Sequence, residues 1–149
     1  MMVTCRPEAP EDERFVRDLI LDTISAELGA SAWPEPMRGH LLAIQCQGRR
    51  HSGGQSLIIL HHGDAVGWLL LAALPFEIRL IEIMVAGTMQ GMGIGSGVIR
   101  EVLESARAQG LPLRLSVNVT NERAVKLYLR LGFRPVENDE VQLRMEALP

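Results

Sequence analysis

The chain is 149 residues long, 47% hydrophobic and 22% charged, the make-up of one ordinary folded domain and not of a disordered segment. A formal net charge of -3 supplies no electrostatic footprint for nucleic acid or an acidic membrane surface, so neither is an expected partner. Cys5 and Cys46 form no close-spaced pair, MMVTCRPEAPEDER lacks the layout of a signal peptide, and the longest apolar run, Ala65 to Phe76, falls well short of the roughly 20 residues of a membrane span; a cytoplasmic protein is expected.

No internal repeat or linker divides the sequence, and residues 1–149 are read as a single domain. Thr4 to Arg6 begin a short strand, and PEAPEDE leads into a helix in which Phe15, Leu19, Ile20 and Ile24 recur at helical spacing until Leu28-Gly29. Pro34 and Pro36 punctuate the start of a second helix, Met37 to Gln47, which RRHSGG stops. Gln55 to Leu60 and Val66 to Leu74 flank His62-Gly63-Asp64 in a hairpin pattern, and Ile78 to Val85 is a further strand. Val98, Ile99, Val102, Leu103 and Ala106 mark one face of a helix ended by Gly110. Leu113, Leu115 and Val117 alternate as a strand, and Ala124, Leu127, Tyr128 and Leu131 form a helical stripe with Gly132 as its cap. Arg134 to Val136 and Val141 to Met145 close the chain as a hairpin. The order βααβββαβαββ implies a mixed α/β sheet with helices on both faces.

Residues 89–97, MQGMGIGSG, put glycine at every second position where a helix must begin. A helix start has unpaired N–H groups and the positive end of a dipole, and glycines let an anion come close to that backbone. No Gly-Lys pair occurs, which excludes a mononucleotide P-loop. The dinucleotide fingerprint fails too, because its third glycine would fall on Ser96 or Val98. Gln90-x-x-Gly93-x-Gly95, after a strand and before a helix, resembles the pyrophosphate loop of the GNAT superfamily of acetyl-CoA-dependent N-acetyltransferases. Further on, Asn121, Ala124, Leu127-Tyr128 and Leu131-Gly132-Phe133 form N-x-x-A-x-x-L-Y-x-x-L-G-F, which is similar to the second cofactor motif of that family. The opening RPEAPEDE is also similar to the start of such chains. The resemblance implies the GNAT fold, a twisted and mostly antiparallel central sheet with splayed central strands. It covers nearly the whole chain, with residues 27–54 carrying little of it.

Acetyl-CoA is the implied cofactor, held by Gln90, Gly91, Met92, Gly93, Ile94, Gly95 and Ser96, with main-chain N–H groups on the diphosphate and a side-chain hydrogen bond from Gln90. Gln90 stands where the family more often has arginine, so one charge-assisted contact is missing. The resemblance assigns the oxyanion donor to the Val85 N–H, beside a bulge in its strand, with Met84 lining the pantetheine. Tyr128, the chain's only tyrosine, takes the general-acid position, since a phenol with pKa near 10 stays protonated at neutral pH and can donate to a thiolate; a core tyrosine on the helix stripe is the other reading. Asn121 is expected both to cap its helix and to bond the cofactor near the pantetheine, with Ala124 beside it.

Glu82 is the candidate base. Strand alternation sets Leu80, Glu82 and Met84 on one face, where apolar neighbours raise a carboxyl pKa. The competing reading is an ion pair with Arg79 or Arg114. Ser116 and Asn118 stand on the adjacent strand where some GNAT relatives carry an acid, which leaves Glu82 or a water chain as proton carrier. The four histidines match no metal-ligand spacing, and no metal is expected. Arg49-Arg50-His51 reads as a solvated turn, and Trp33 and Trp68 as core or pocket residues. The expected activity is direct acetyl transfer to a primary amine of a small molecule, peptide or protein. A non-catalytic acyl-CoA-binding or regulatory domain of the same fold is the alternative, and a longer acyl group a third reading. GNAT chains often pair, so a homodimer is an expected assembly.

Overall fold

A computed structural model describes residues 3–149. Its strands are β1 (Val3–Pro7), β2 (Gln55–His61), β3 (Asp64–Ala73), β4 (Ile78–Val85), β5 (Leu113–Asn118), β6 (Arg134–Asn138) and β7 (Gln142–Ala147), and its helices are α1 (Glu13–Leu28), α2 (Met37–Arg50), α3 (Ile94–Ala108) and α4 (Glu122–Arg130). The strands form one sheet in the order β1-β2-β3-β4-β5-β7-β6. Every pairing is antiparallel except the parallel one between β4 and β5. The mixed α/β architecture and element order follow the hydrophobic periodicity, and each strand lies within a few residues of where alternation sets it.

Period-two alternation feeds two cores. On β3, Leu69 packs with α3 residues Ile94, Val98, Ile99 and Leu103, while its neighbours Trp68 and Leu70 pack on the other face with Val16, Leu19, Ile20 and Ile24 of α1. Trp68 is fully buried and its indole N–H donates to Ser56 Oγ at 2.7 Å, which satisfies its one polar group.

Two details of β4 position everything that follows. First, its register against β3 slips: Leu70 pairs with Glu82 but Leu71 with Leu80, so Ile81 is an extra, bulged residue. The bulge breaks strict alternation. Leu80, Ile83 and Val85 pack toward α3, whereas Ile81 and Met84 pack toward α1 and α2. The expectation that Leu80, Glu82 and Met84 share a face is therefore corrected: Leu80 lies opposite Met84, because the inserted residue reverses the pleat. Second, β4 meets β5 only through Ile78–Leu113, Arg79–Arg114 and Leu80–Leu115. Beyond the bulge the two strands part.

Arg49 and Arg50 do not form the solvated turn expected of them. They end α2, which runs three residues past Gln47. Arg50 is ion-paired with Glu8 and lies 5.9 Å from the Trp68 ring centroid, and basic side chains at a helix C-terminus complement its dipole. Among the described residues no helix is long and apolar enough to cross a membrane.

Candidate active site

The glycine loop closes onto the start of α3. Gly93 is the residue before the helix, in the left-handed region with φ 78° and ψ 11°, a conformation that a residue with a Cβ adopts at a cost. Its side chain can cap nothing, and the first hydrogen bond of the helix runs from the Gly97 N–H to the Gly93 carbonyl at 3.0 Å. The N–H groups of Ile94, Gly95 and Ser96 thus lack acceptors within the helix, and no acidic side chain stands in the first turn to take them up. They open into a cavity of about 610 Å³ lined on one side by Val85, Gln90, Gly91, Gly93, Gly95 and Ser96 and on the other by Asn121, Ala124 and Tyr128. Ile94 contributes main chain alone, since its side chain is buried in the core.

Two residues expected at this wall stand elsewhere. Met92 is 45% exposed and does not line the cavity. Met84 is buried in the core beneath α1. It precedes Val85 by one residue, so its side chain projects from the opposite face of the sheet.

Val85 is oriented by the ladder. The Ala86 N–H donates to the Val66 carbonyl at 2.8 Å, and antiparallel pairs alternate between bonded and non-bonded. Val85, paired with Gly67, is of the second kind, and its N–H and C=O point toward the side from which β5 has parted. The carbonyl accepts a hydrogen bond of 3.0 Å from Gln90 Nε2, so the Gln90 amide, expected to reach the cofactor, folds back onto the strand. Gly67 permits the close strand approach here: a Cβ on it would stand 2.5 Å from the Met84 carbonyl oxygen.

A second cavity, of about 380 Å³, occupies the gap between β4 and β5. Glu82 lines it from β4, Ser116 and Asn118 from β5, and Gln142 from β7. Burial raises the Glu82 pKa above the usual carboxylate range, Arg49 opposes that rise and Glu27 adds to it. Arg49 Nε stands 3.8 Å from Glu82 Oε1 while its Nη2 donates to Glu27 at 2.8 Å. The partners weighed from sequence are engaged elsewhere, Arg79 with Glu77 at 3.1 Å and Arg114 with Glu146 at 3.1 Å.

Tyr128 is buried on α4, edge-on to Phe133 at 5.5 Å. Burial, with a smaller contribution from the Glu82 charge, pushes its pKa up to about 12. Both ends of α4 are fixed. Asn121 Oδ1 accepts from the Ala124 N–H at 3.2 Å. At the far end the Phe133 N–H donates to the Tyr128 carbonyl at 3.0 Å and the Gly132 N–H to the Leu129 carbonyl at 3.2 Å. Tyr128, Asn121, Ala124 and Ile83 line both cavities and form the wall between them.

Sequence reasoning missed Glu27 and Arg49, which lie far from Glu82 in the chain and carry no pattern. It also missed Arg123, Lys126 and Arg130, which line the larger cavity. Their spacing of three and four residues puts them on one side of α4, and this was a readable signal.

The model of the acetyltransferase (GNAT) family matches residues 15–133. The chain is 37% identical over 78 residues to N-alpha-acetyltransferase RimI of Mycobacterium tuberculosis (strain ATCC 25618 / H37Rv), covering 50% of this chain and 48% of that protein, so the match spans about half the length of the relative. Among solved structures, the paia N-acetyltransferase from Thermoplasma acidophilum in complex with coenzyme A superposes with a TM-score of 0.76 at 15% identity, over 100% of both chains. The ribosomal-protein-S18-alanine N-acetyltransferase from Escherichia coli does so with a TM-score of 0.68 at 17% identity, over 99% of this chain and 94% of that one. At these identities the likeness to the two structures is one of fold.

Proposed function

The chain belongs to the GNAT acetyltransferase family, and from that premise we propose that it moves an acetyl group from acetyl-CoA directly to a primary amine of a small molecule or a protein. The observation that carries this reading is the pair of cavities meeting at Tyr128: one opens on a helix start with free N–H groups, the other on a half-buried carboxylate. That is the arrangement a two-substrate transfer needs, with the reacting atoms at the common wall.

The larger cavity fits coenzyme A. The N–H groups from Gly91 to Ser96 are donors for its diphosphate, and Arg123, Lys126 and Arg130 add positive charge along the same cavity. Where β4 parts from β5, the main-chain groups of Ile83 and the Val85 N–H have no strand opposite and can pair with the pantetheine amides as an added strand would. The Val85 N–H, at the end of that edge, donates to the developing oxyanion. Glu82, with its raised pKa, accepts a proton from the incoming ammonium. The amine nitrogen then bonds the acetyl carbon, the carbon–sulfur bond breaks, and Tyr128, protonated throughout the neutral range, donates to the departing thiolate, while the second proton lost by the nitrogen as it becomes an amide restores the phenol. Asn121 holds the start of α4 and thereby the position of Tyr128. We read residues 1–149 as one catalytic unit acting in the cytoplasm, with a homodimer as its assembly.

Two measurements test the reading. Calorimetry should detect acetyl-CoA binding, and incubation with a panel of amines and peptides should yield acetylated product. Binding without any acetylation would favour a regulatory acyl-CoA-binding domain, and absence of binding would remove the assignment. Tyr128→Phe should lower kcat by about 10²-fold or more with unchanged acetyl-CoA affinity. Unchanged turnover would take Tyr128 out of the mechanism.

A further inference from the structure

At the acceptor end of the smaller cavity three charges converge from three elements: Glu27 in the last turn of α1, Arg49 in the last turn of α2, and Glu82 on β4. Arg49 donates to Glu27 at 2.8 Å and leaves 3.8 Å between its Nε and Glu82. All three are partly shielded, with side chains 42%, 28% and 23% exposed respectively. The next residue, Arg50, is bound to Glu8 and lies over Trp68, which anchors the end of α2 and with it the direction of Arg49.

The rest of the cavity adds little net charge. Arg79, its other guanidinium, is bound to Glu77. The facing wall of Ser116, Asn118, Asn121 and Gln142 is neutral. Two carboxylates and one guanidinium therefore leave a single uncompensated negative charge in the inner cluster. One ammonium beside Glu82 neutralises it. A second cationic group on the same molecule meets Arg49 where it would otherwise meet a carboxylate, and like charges at partly shielded sites repel.

Resting on the amine-transfer reading above, we propose that Arg49, tethered by Glu27, is a specificity-determining residue whose guanidinium takes the position of a second cation and restricts the site to acceptors that bring a single ammonium. Loss of that guanidinium doubles the local negative charge and recasts the cavity as a site for a diammonium compound.

The test is calorimetric binding of butylamine and putrescine at neutral pH to protein loaded with coenzyme A, so that it does not depend on turnover. In the parent, putrescine should bind no more tightly than butylamine. In Arg49→Gln the preference for putrescine over butylamine should rise about tenfold, and Arg49→Lys should keep the parental ratio. Glu27→Gln, which leaves the cluster without net charge, should weaken both amines, and it supplies an independent readout if Arg49→Gln does not fold. An unmoved ratio in Arg49→Gln, an unmoved affinity in Glu27→Gln, or binding of neither amine to any of the proteins overturns the proposal. Amines that bind as described but are not acetylated would overturn the transfer reading and leave this one standing.

Discussion

Alanine in place of Gly67 is the most demanding test of how β3 and β4 shape the site. The added Cβ would stand 2.5 Å from the Met84 carbonyl oxygen and 3.1 Å from Ile59 Cδ1. Ile59 can adjust its side chain, but the oxygen is main chain and lies about 0.9 Å inside ordinary contact distance. The strands must separate by a distance of that order, at a cost of about 1–3 kcal/mol. Against a total of roughly 5–15 kcal/mol the protein stays folded, with its Tm lowered by about 2–12 °C. The same displacement carries Val85, which faces Gly67 across the ladder, away from the common wall. Loss of one oxyanion donor costs about 10²- to 10³-fold in kcat, and partial displacement should cost at least about tenfold. The diphosphate cradle is untouched, so acetyl-CoA affinity should change far less than turnover. Urea unfolding, steady-state kinetics and calorimetry on the one variant read all three quantities. A folded Gly67→Ala protein with parental stability and parental kcat would refute both the packing argument and the role of Val85.

Gly97→Ala is the counterpart within α3. Its Cβ would meet open space and its φ is not positive, so the substitution should raise stability by about 0.4–1 kcal/mol in urea unfolding without weakening acetyl-CoA binding. Glu82→Gln should remove the acid limb of the kcat/KM profile. Because the folded pKa of Glu82 is raised, its stabilising contribution is lost as pH rises, and the variant should be more stable than the parent at neutral pH by thermal unfolding. Asp12 works in the opposite sense. Hydrogen bonds from Arg6 at 2.6 and 3.0 Å and from the Ala9 N–H hold its pKa down to about 2. Its contribution is fully present above the ordinary carboxylate pKa and fades as pH falls toward about 2. Asp12→Asn should flatten that part of the acid unfolding curve, and an unchanged curve would show that the Arg6 pair carries no linked stability.

Periodicity made α1, α3 and β5 legible because each had one buried face. Ile78–Val85 and the stripe Ala124–Leu131 were readable from apolar spacing alone, and the glycine loop was readable because free N–H groups at a helix start are a chemical signal in themselves. The failures have separate causes. One inserted residue at Ile81 changed which side chains of β4 look into which core, and although the resemblance implied a bulge in this strand, nothing in IRLIEIMV says at which residue it falls. Met84 faces away from the cavity for a simpler reason, because it neighbours Val85 and adjacent side chains of a strand take opposite faces. Arg49 and Arg50 were read as loop because their partners, Glu27, Glu82 and Glu8, are remote in sequence, and an ion pair has no periodicity. Gln90 sat in the right motif, but its amide found the Val85 carbonyl five residues back, an outcome decided by the turn between them.

The strand order carries a consequence for how this molecule is made. β7 lies between β5 and β6 and bonds to both, although it follows them in the chain. A nascent polypeptide that has emerged only as far as Asn138 can assemble β1 through β5, yet β6 has no neighbour to join and β5 keeps a raw edge. Four residues that line the smaller cavity, Leu115 to Asn118, sit on that raw edge, and a fifth, Gln142, arrives with β7. The wall that β5 gives the smaller cavity is therefore held from its outer side only when β7, later in the chain, slots into the sheet.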